Sequence, residues 1–187
     1  MKNIVIIEVP SGVGKDSIFS ALIGRNPDKF EKIVSVTDRE IRPGEIDGIT
    51  YKFVTTENFE HMVRTGEIFE FTRRHGTYRG MSKPLIDKIL NKGKIALKDC
   101  DMIGIRAIKN IYPSNVLTIF INARKEEVER RLLARGETDI AIRLADYNNK
   151  IKEIRHFDFV VDNNGTLDEA VQKVQNIIKE ECGGYVR

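Results

Sequence analysis

The 187-residue chain predicts an α/β fold: a mostly parallel sheet core with helices on both faces, carrying a small strand-rich insertion. Three observations predict it. Apolar runs of strand length alternate with helical patterns along most of the chain, the pattern of a parallel sheet. The first run, Ile4-Val5-Ile6-Ile7, enters a glycine loop, Pro10-Ser11-Gly12-Val13-Gly14-Lys15-Asp16-Ser17, and a helical pattern (Ile18, Phe19, Leu22, Ile23) leaves it. Residues 33–80 instead hold short alternating runs and charged turns, so they form the insertion, with 1–32 and 81–187 as the core of one domain.

The elements follow in order. Ile33-Val34-Ser35-Val36 reads as a short strand, and the charged Thr37–Glu45 stretch with Pro43-Gly44 as a loop. Tyr51 and Phe53 alternate with polar neighbours, as in a half-buried strand. Thr56 can cap a helix that runs through Val63 and that Gly66 ends. Glu67–Arg74 alternates, with Ile68 and Glu70 opposite Phe69 and Phe71. Ser82 and Pro84 open a helix to about Asn91. Ile95-Ala96-Leu97 is a buried strand, and a helix over 102–111 follows it. Val116–Ile121 is the clearest central strand. Helices are expected over 125–134 and up to about Arg155, then the strand Phe159-Val160-Val161 and a last helix from about Leu167 to Glu180. Ligands of such sheets bind beyond the carboxyl ends of the strands. The 10–17 loop, Asp99, Asp101 and Asn163 all fall on that edge.

Composition excludes several classes. The 31 basic and 28 acidic residues leave a net charge of +3, too balanced to argue for a nucleic-acid partner. Cys100 and Cys182 have no metal spacing and no disulfide framework. The apolar start is too short for a membrane span and runs straight into the loop. A soluble, cytoplasmic protein is the expectation. His61, His75 and His156 are scattered and read as surface; Phe59 and Met62 read as the core of the insertion.

Strand, glycine loop, lysine and helix form the P-loop arrangement of NTPases, which cradles a polyphosphate. Gly12 and Gly14 let the backbone curl so that successive N–H groups point inward, and the following helix adds its positive end. Lys15 reaches the outer phosphates. Val9 stands where the pattern has its first glycine, and Asp16 where it has a hydroxyl. Asp16 can ligate Mg²⁺ as a hard oxygen donor, or repel the phosphates; Ser17 is a substitute ligand. Glu8 is unusual, since a charge at the end of a buried strand costs free energy unless paired.

Beyond the loop, Arg39-x-x-Arg42-Pro43-Gly44-Glu45-x-Asp47-Gly48-x-x-Tyr51-x-Phe53-Val54 is followed by Gly66-Glu67-x-x-Glu70 and Asp99-x-Asp101-Met102. Then come Arg131-Leu132-x-x-Arg135-Gly136 and Arg143-Leu144. In that order, over nearly the whole chain, these resemble a guanylate kinase. The resemblance implies transfer of the γ-phosphate of ATP to GMP or dGMP, with Mg²⁺ as cofactor. It implies an acceptor-binding unit at 33–80 and a mobile helical lid at about 131–143. Arg39, Arg42 and the Tyr51 hydroxyl would hold the acceptor phosphate, whose oxygens match the guanidinium fork. Glu70 would accept from guanine N1–H and N2–H₂, helped by Ser35 and Asp101. Asp99 sits where the family has a carboxylate near Mg²⁺. Arg131, Arg135 and Arg143 would bring charge onto the transferring phosphoryl group, and Asn163 would join the ATP side.

The chain departs from the family at Tyr78-Arg79-Gly80-Met81, where Tyr-Tyr-Gly-[ST] is usual. Arg79 can replace the second tyrosine on the acceptor phosphate or serve a different acceptor. Asp38 replaces a threonine, and the lid is shorter by about three residues. Gly14-Lys15-Asp16-Ser17 is similar to the loop of ribose 1,5-bisphosphate phosphokinases. Two alternatives therefore stand beside GMP kinase: a kinase with such a sugar acceptor, and a catalytically silent domain that binds a protein.

Overall fold

A computed structural model describes residues 1–184; positions 185–187 of the expected domain lie outside the described residues. Its strands are β1 (Ile4–Glu8), β2 (Phe30–Lys32), β3 (Val36–Thr37), β4 (Lys52–Phe53), β5 (Ile68–Arg74), β6 (Thr77–Ser82), β7 (Ile95–Lys98), β8 (Val116–Asn122) and β9 (Phe159–Asp162). Its helices are α1 (Lys15–Arg25), α2 (Thr56–Arg64), α3 (Lys83–Asn91), α4 (Met102–Ile111), α5 (Lys125–Ala134), α6 (Ile140–Ile151) and α7 (Leu167–Glu181).

Five strands form a wholly parallel sheet in the order β2-β7-β1-β8-β9. β1 is central, and its five residues are all buried. Its side chains alternate between two cores. Val5 and Ile7 pack with Ile18 and Leu22 of α1 and Val171 and Val174 of α7. Ile4 and Ile6 pack on the other face with Ile86 of α3 and Ile105 and Ile108 of α4. Continuous apolar strands covered on both faces are what a parallel sheet requires. Because the neighbours of β1 come from later in the chain on both sides, the loop after β1 opens at the point where the strand order reverses, the preferred place for a ligand.

A second sheet, in the order β4-β3-β6-β5, covers a small core of Val36, Phe59 and Ile68. Phe59 stacks on Tyr78 with centroids 5.0 Å apart. Met62 is partly buried against this core, as expected.

Several elements differ from the expected ones. Ile33–Ser35 is not strand: it links the parallel sheet at β2 to the second sheet at β3. β2 and β6 have no counterpart in the sequence reading. β6 contains Tyr78-Arg79-Gly80-Met81 and pairs antiparallel with both β3 and β5. The β5–β6 register shifts between Ile68 and Glu70. This bulge breaks the simple alternation and re-aims Glu70. Thr55, not Thr56, caps α2. Ser82 stands at the N-cap of α3 but makes no capping bond, and its buried hydroxyl has no partner among the described residues. α6 ends at Ile151 rather than near Arg155, and a 3₁₀ turn at Ile154–His156 follows.

Candidate active site

The phosphate-type loop is shaped by two glycines in left-handed backbone, Gly12 (φ 83°) and Gly14 (φ 104°). Gly12 also has no room for a side chain: a Cβ there would stand 3.0 Å from both Leu132 and Val128 of α5. The Val13 carbonyl accepts from Asn163 Nδ2 at 2.6 Å and from Arg131 Nη1 at 3.3 Å. Gly14 is the N-cap of α1, so the positive end of that helix faces the loop. Pro10 and Val13 are buried, while Asp16 and Ser17 are exposed at the start of α1.

The cations around this loop are held by carboxylates. Lys15 Nζ lies 2.5 Å from Asp99 Oδ2 and 3.7 Å from Asp16 Oδ1. Burial favours the neutral form of Lys15, but its bond to Asp99 and the charges of Asp99 and Asp16 together outweigh this, and its pKa is raised. Burial likewise works against the Asp99 carboxylate, yet Lys98 and Lys15 hold its pKa down. Arg131 donates to Glu127 Oε1 at 2.6 Å and to the Asn163 carbonyl at 3.0 Å. Arg143 bridges Ser11 Oγ (2.8 Å), Asp139 (2.7 Å) and Glu137 (2.8 Å). Glu8 is paired after all: its Oε1 accepts from Lys150 Nζ at 2.9 Å. Burial still raises the Glu8 pKa, more than Lys150 lowers it.

Lys15 and Asp16 also line a cavity of about 860 Å³, to which residues of both sheets contribute. Arg39, Arg42, Tyr51, Glu70, Arg79, Ser35, Asp99 and Asp101 line it. Glu45 organises the charged loop: it accepts Arg39 Nη2 at 2.7 and 3.0 Å and the Arg42 backbone N–H at 2.8 Å. The Tyr51 ring is flanked by the guanidinium groups of Arg39 (5.6 Å) and Arg79 (4.7 Å). Glu70 is half-buried, and burial, then Asp101, push its pKa up while Lys98 pulls it down. The Asp101 carboxylate accepts the N–H groups of Ile103 and Gly104 at 3.1 Å, so it also caps α4.

Arg135 is exposed at the end of α5 and does not line this cavity; nor do Ser17, Arg131, Arg143 and Asn163. Four polar residues to which the sequence reading gave no role in the site matter here. Lys98 is buried at the end of β7, and its Nζ donates to Ser35 Oγ at 3.1 Å. Asp38 accepts from the Tyr78 N–H (2.7 Å) and Thr56 Oγ1 (2.9 Å), tying β6 and α2 to β3. Glu45 and Glu127 fix arginines. The available signal was positional: Lys98 closes an apolar strand run, where a charge is out of place. His75, read as surface, is exposed but lines the cavity from the β5–β6 turn.

A parallel sheet whose central strand feeds a glycine loop, a lysine and a helix N-terminus defines a phosphate-loop α/β protein. Comparison with known proteins narrows the class. A family model described as guanylate kinase matches residues 1–181. Guanylate kinases of Aliivibrio fischeri and Vibrio cholerae are each 36% identical over 183 residues, covering 96% of this chain and 88% of theirs. The crystal structure of a guanylate kinase from Anaplasma phagocytophilum superposes with a TM-score of 0.68 at 26% identity, covering 96% of this chain and 86% of that one. A gluconokinase from Sinorhizobium meliloti shares the fold alone, with a TM-score of 0.50 at 13% identity. The chain belongs to the guanylate kinase family and is an enzyme of that kind.

Proposed function

We propose that the protein transfers the γ-phosphate of ATP to GMP or dGMP, giving ADP and GDP or dGDP. The observation that carries this is one cavity lined by Lys15, by Arg39, Arg42 and Tyr51, and by Glu70, Ser35 and Asp101. A phosphate-type lysine, an anion clamp and a base-reading carboxylate are what a nucleoside monophosphate acceptor needs. Matched relatives named guanylate kinase speak for GMP rather than a sugar bisphosphate.

In this reading the 10–17 loop and Lys15 bind the ATP phosphates, with Asn163 and Arg131 bracing the loop. Residues 33–80 hold the acceptor, and about 131–143 act as the lid. Arg39, Arg42, Tyr51 and Arg79 orient the acceptor phosphate, one of whose oxygens attacks the γ-phosphorus in line as the bond to the ADP oxygen breaks. Arg131, Arg135 and Arg143 neutralise charge at the transferring group, an effect worth on the order of 10³–10⁵ in rate in comparable sites.

Among the described residues no three His, Cys, Asp or Glu gather into a metal cage, while Asp99 and Asp16 flank Lys15. Such a donor set fits Mg²⁺, which takes one or two carboxylates and fills its shell with water and substrate phosphates. Asp16 and Asp99 would hold it, directly or through water, and there it would offset the negative charge of the phosphates. A cytoplasmic setting suits the two free thiols, Cys100 and Cys182. Among the described residues no helix is long and apolar enough to cross a membrane.

The test is ADP release with Mg-ATP against GMP, dGMP, AMP, CMP, UMP and ribose 1,5-bisphosphate. Turnover confined to GMP and dGMP is expected. Turnover with the sugar alone, or with none of them, refutes the proposal.

A further inference from the structure

Lys98 is an anomaly of the acceptor cavity. It ends a strand whose four residues are all buried, and only 9% of its own surface is exposed. Its ammonium lies 3.1 Å from Ser35 Oγ and 3.5 Å from Asp99 Oδ1. Ser35 is itself buried, 7% exposed, at the crossing between the two sheets. Both residues line the cavity together with Glu70 and Asp101.

The direction of the Lys98–Ser35 bond is fixed by chemistry. An ammonium has donors only, so the serine oxygen must accept. The hydroxyl proton then points away from Lys98, and among the described residues no group accepts it. It is left for whatever occupies the cavity. The neighbouring cation also makes this hydroxyl a stronger donor, since hydrogen bonds polarise one another in a low-dielectric site. The cavity wall therefore offers a fixed donor at Ser35 beside fixed acceptors at Glu70 and Asp101. A purine edge with a carbonyl oxygen next to N–H groups complements that order; an edge with an amino group at the same place would set donor against donor.

We propose that Lys98 is a positioning residue for acceptor specificity: it locks Ser35 as a hydrogen-bond donor, so that the site reads the 6-oxo group of the acceptor base separately from the N1–H and N2–H₂ edge read by Glu70. The inference rests on the cavity being a guanine nucleotide acceptor site. The field of Lys98 also reaches Glu70, whose carboxylate it favours. A general electrostatic role is thus the rival account, and the two make different predictions.

The experiment compares kcat/KM for GMP, 6-thio-GMP and IMP in the wild type and in Lys98→Met, which keeps an unbranched chain one atom shorter and removes the charge. The 6-thio analogue differs from GMP only in the acceptor atom at position 6; IMP lacks only the 2-amino group. The expected result is that the GMP preference over 6-thio-GMP falls about tenfold, the scale of one hydrogen bond strengthened by a charge. The preference over IMP stays as in the wild type. Each preference is a ratio within one preparation, so a smaller folded fraction does not affect it. In a Ser35→Ala background, Lys98→Met should leave the 6-thio preference where Ser35→Ala alone puts it. An unchanged 6-thio preference in Lys98→Met overturns the proposal, as does a parallel fall in both preferences, which would assign Lys98 to Glu70 instead. A wild type that does not phosphorylate GMP defeats the acceptor reading itself, a distinct outcome.

Discussion

Replacing Glu70 with glutamine tests the base-reading wall most directly. Glu70 lies in the cavity, half-buried, and among the described residues no side chain or backbone group donates to its carboxylate. Both oxygens are therefore available to a ligand, and an amide leaves no protein partner stranded. Guanine presents N1–H and N2–H₂ side by side, and each bond to a charged acceptor is worth roughly 1.5–3 kcal/mol. Glutamine keeps one neutral oxygen and turns the other acceptor into a donor that faces a donor. The loss is at least one charged bond plus that conflict, about 3 kcal/mol or more, or roughly 100-fold at 1.4 kcal/mol per factor of ten. Specificity, kcat/KM for GMP over that for AMP, should fall by that factor in a coupled ADP-release assay. The same wall predicts a pH effect. Burial and Asp101 raise the Glu70 pKa. As pH falls through that raised value the free enzyme's carboxylate takes up a proton and becomes a donor, so kcat/KM for GMP drops on the acid side, and in Glu70→Gln that limb should flatten. A selectivity ratio within about threefold of wild type would refute the reasoning, since even one charged bond is worth more.

Other outcomes follow from the same geometry. Lys15→Ala should lower kcat by about 10²–10³, the cost of losing one preorganised charge-stabilising donor, with an unchanged circular dichroism spectrum; full activity would remove the loop from the mechanism. Asp16, with a side chain 96% exposed beside Lys15, is expected to serve the metal, so Asp16→Ser should raise the Mg²⁺ concentration for half-maximal rate, and an unmoved titration curve would exclude it. Lys150→Met strands the Glu8 carboxylate, which is 3% exposed. Breaking a fully buried pair costs about 3–5 kcal/mol, but Lys150 is partly exposed, so about 1–3 kcal/mol at neutral pH is expected from denaturant unfolding. Glu8 has a raised pKa in the folded state. The penalty should therefore be absent below the unfolded carboxylate pKa and grow as pH rises through the folded value; a loss independent of pH would contradict it.

Much of the fold was legible because it rests on periodicity. The helices at 102–111 and 125–134 have the expected bounds, since each carries an apolar stripe between clear ends. Strands of the second sheet were harder. β6 holds Arg79 and Gly80 and shows no alternation, because its partners β3 and β5 supply the order through backbone bonds. Pairing with a distant segment leaves no local trace. Ile33–Ser35 looked like strand because it is apolar and largely buried, but its burial comes from crossing between sheets. In the candidate site, Arg39, Arg42, Tyr51 and Glu70 were singled out by the family resemblance, and one cavity gathers them. Their supports were not: Glu45, Glu127 and Asp38 act by accepting hydrogen bonds from particular partners, and spacing does not encode who meets whom.

The charge pairs of the loop carry a consequence for catalysis. Lys15, Arg131 and Arg143 each meet a carboxylate before any phosphate arrives: Asp99, Glu127, and Asp139 with Glu137. A polyphosphate bound as proposed would displace or share these acceptors rather than meet bare cations. The exchange weakens ground-state binding, because part of each new ion pair replaces an old one. It also keeps the side chains ordered toward the loop, so little rotamer entropy is lost at the moment of transfer. Asp99 is the acceptor best suited to let go, since a divalent cation brought with the nucleotide would take over its charge and free Lys15 for the phosphates. Glu127, by contrast, holds two arginines and has a pKa pushed down to about 2, so it stays ionised and keeps Arg131 in place. In the proposed mechanism the lysine would be the cation released by substrate, and Arg131 the one that stays fixed.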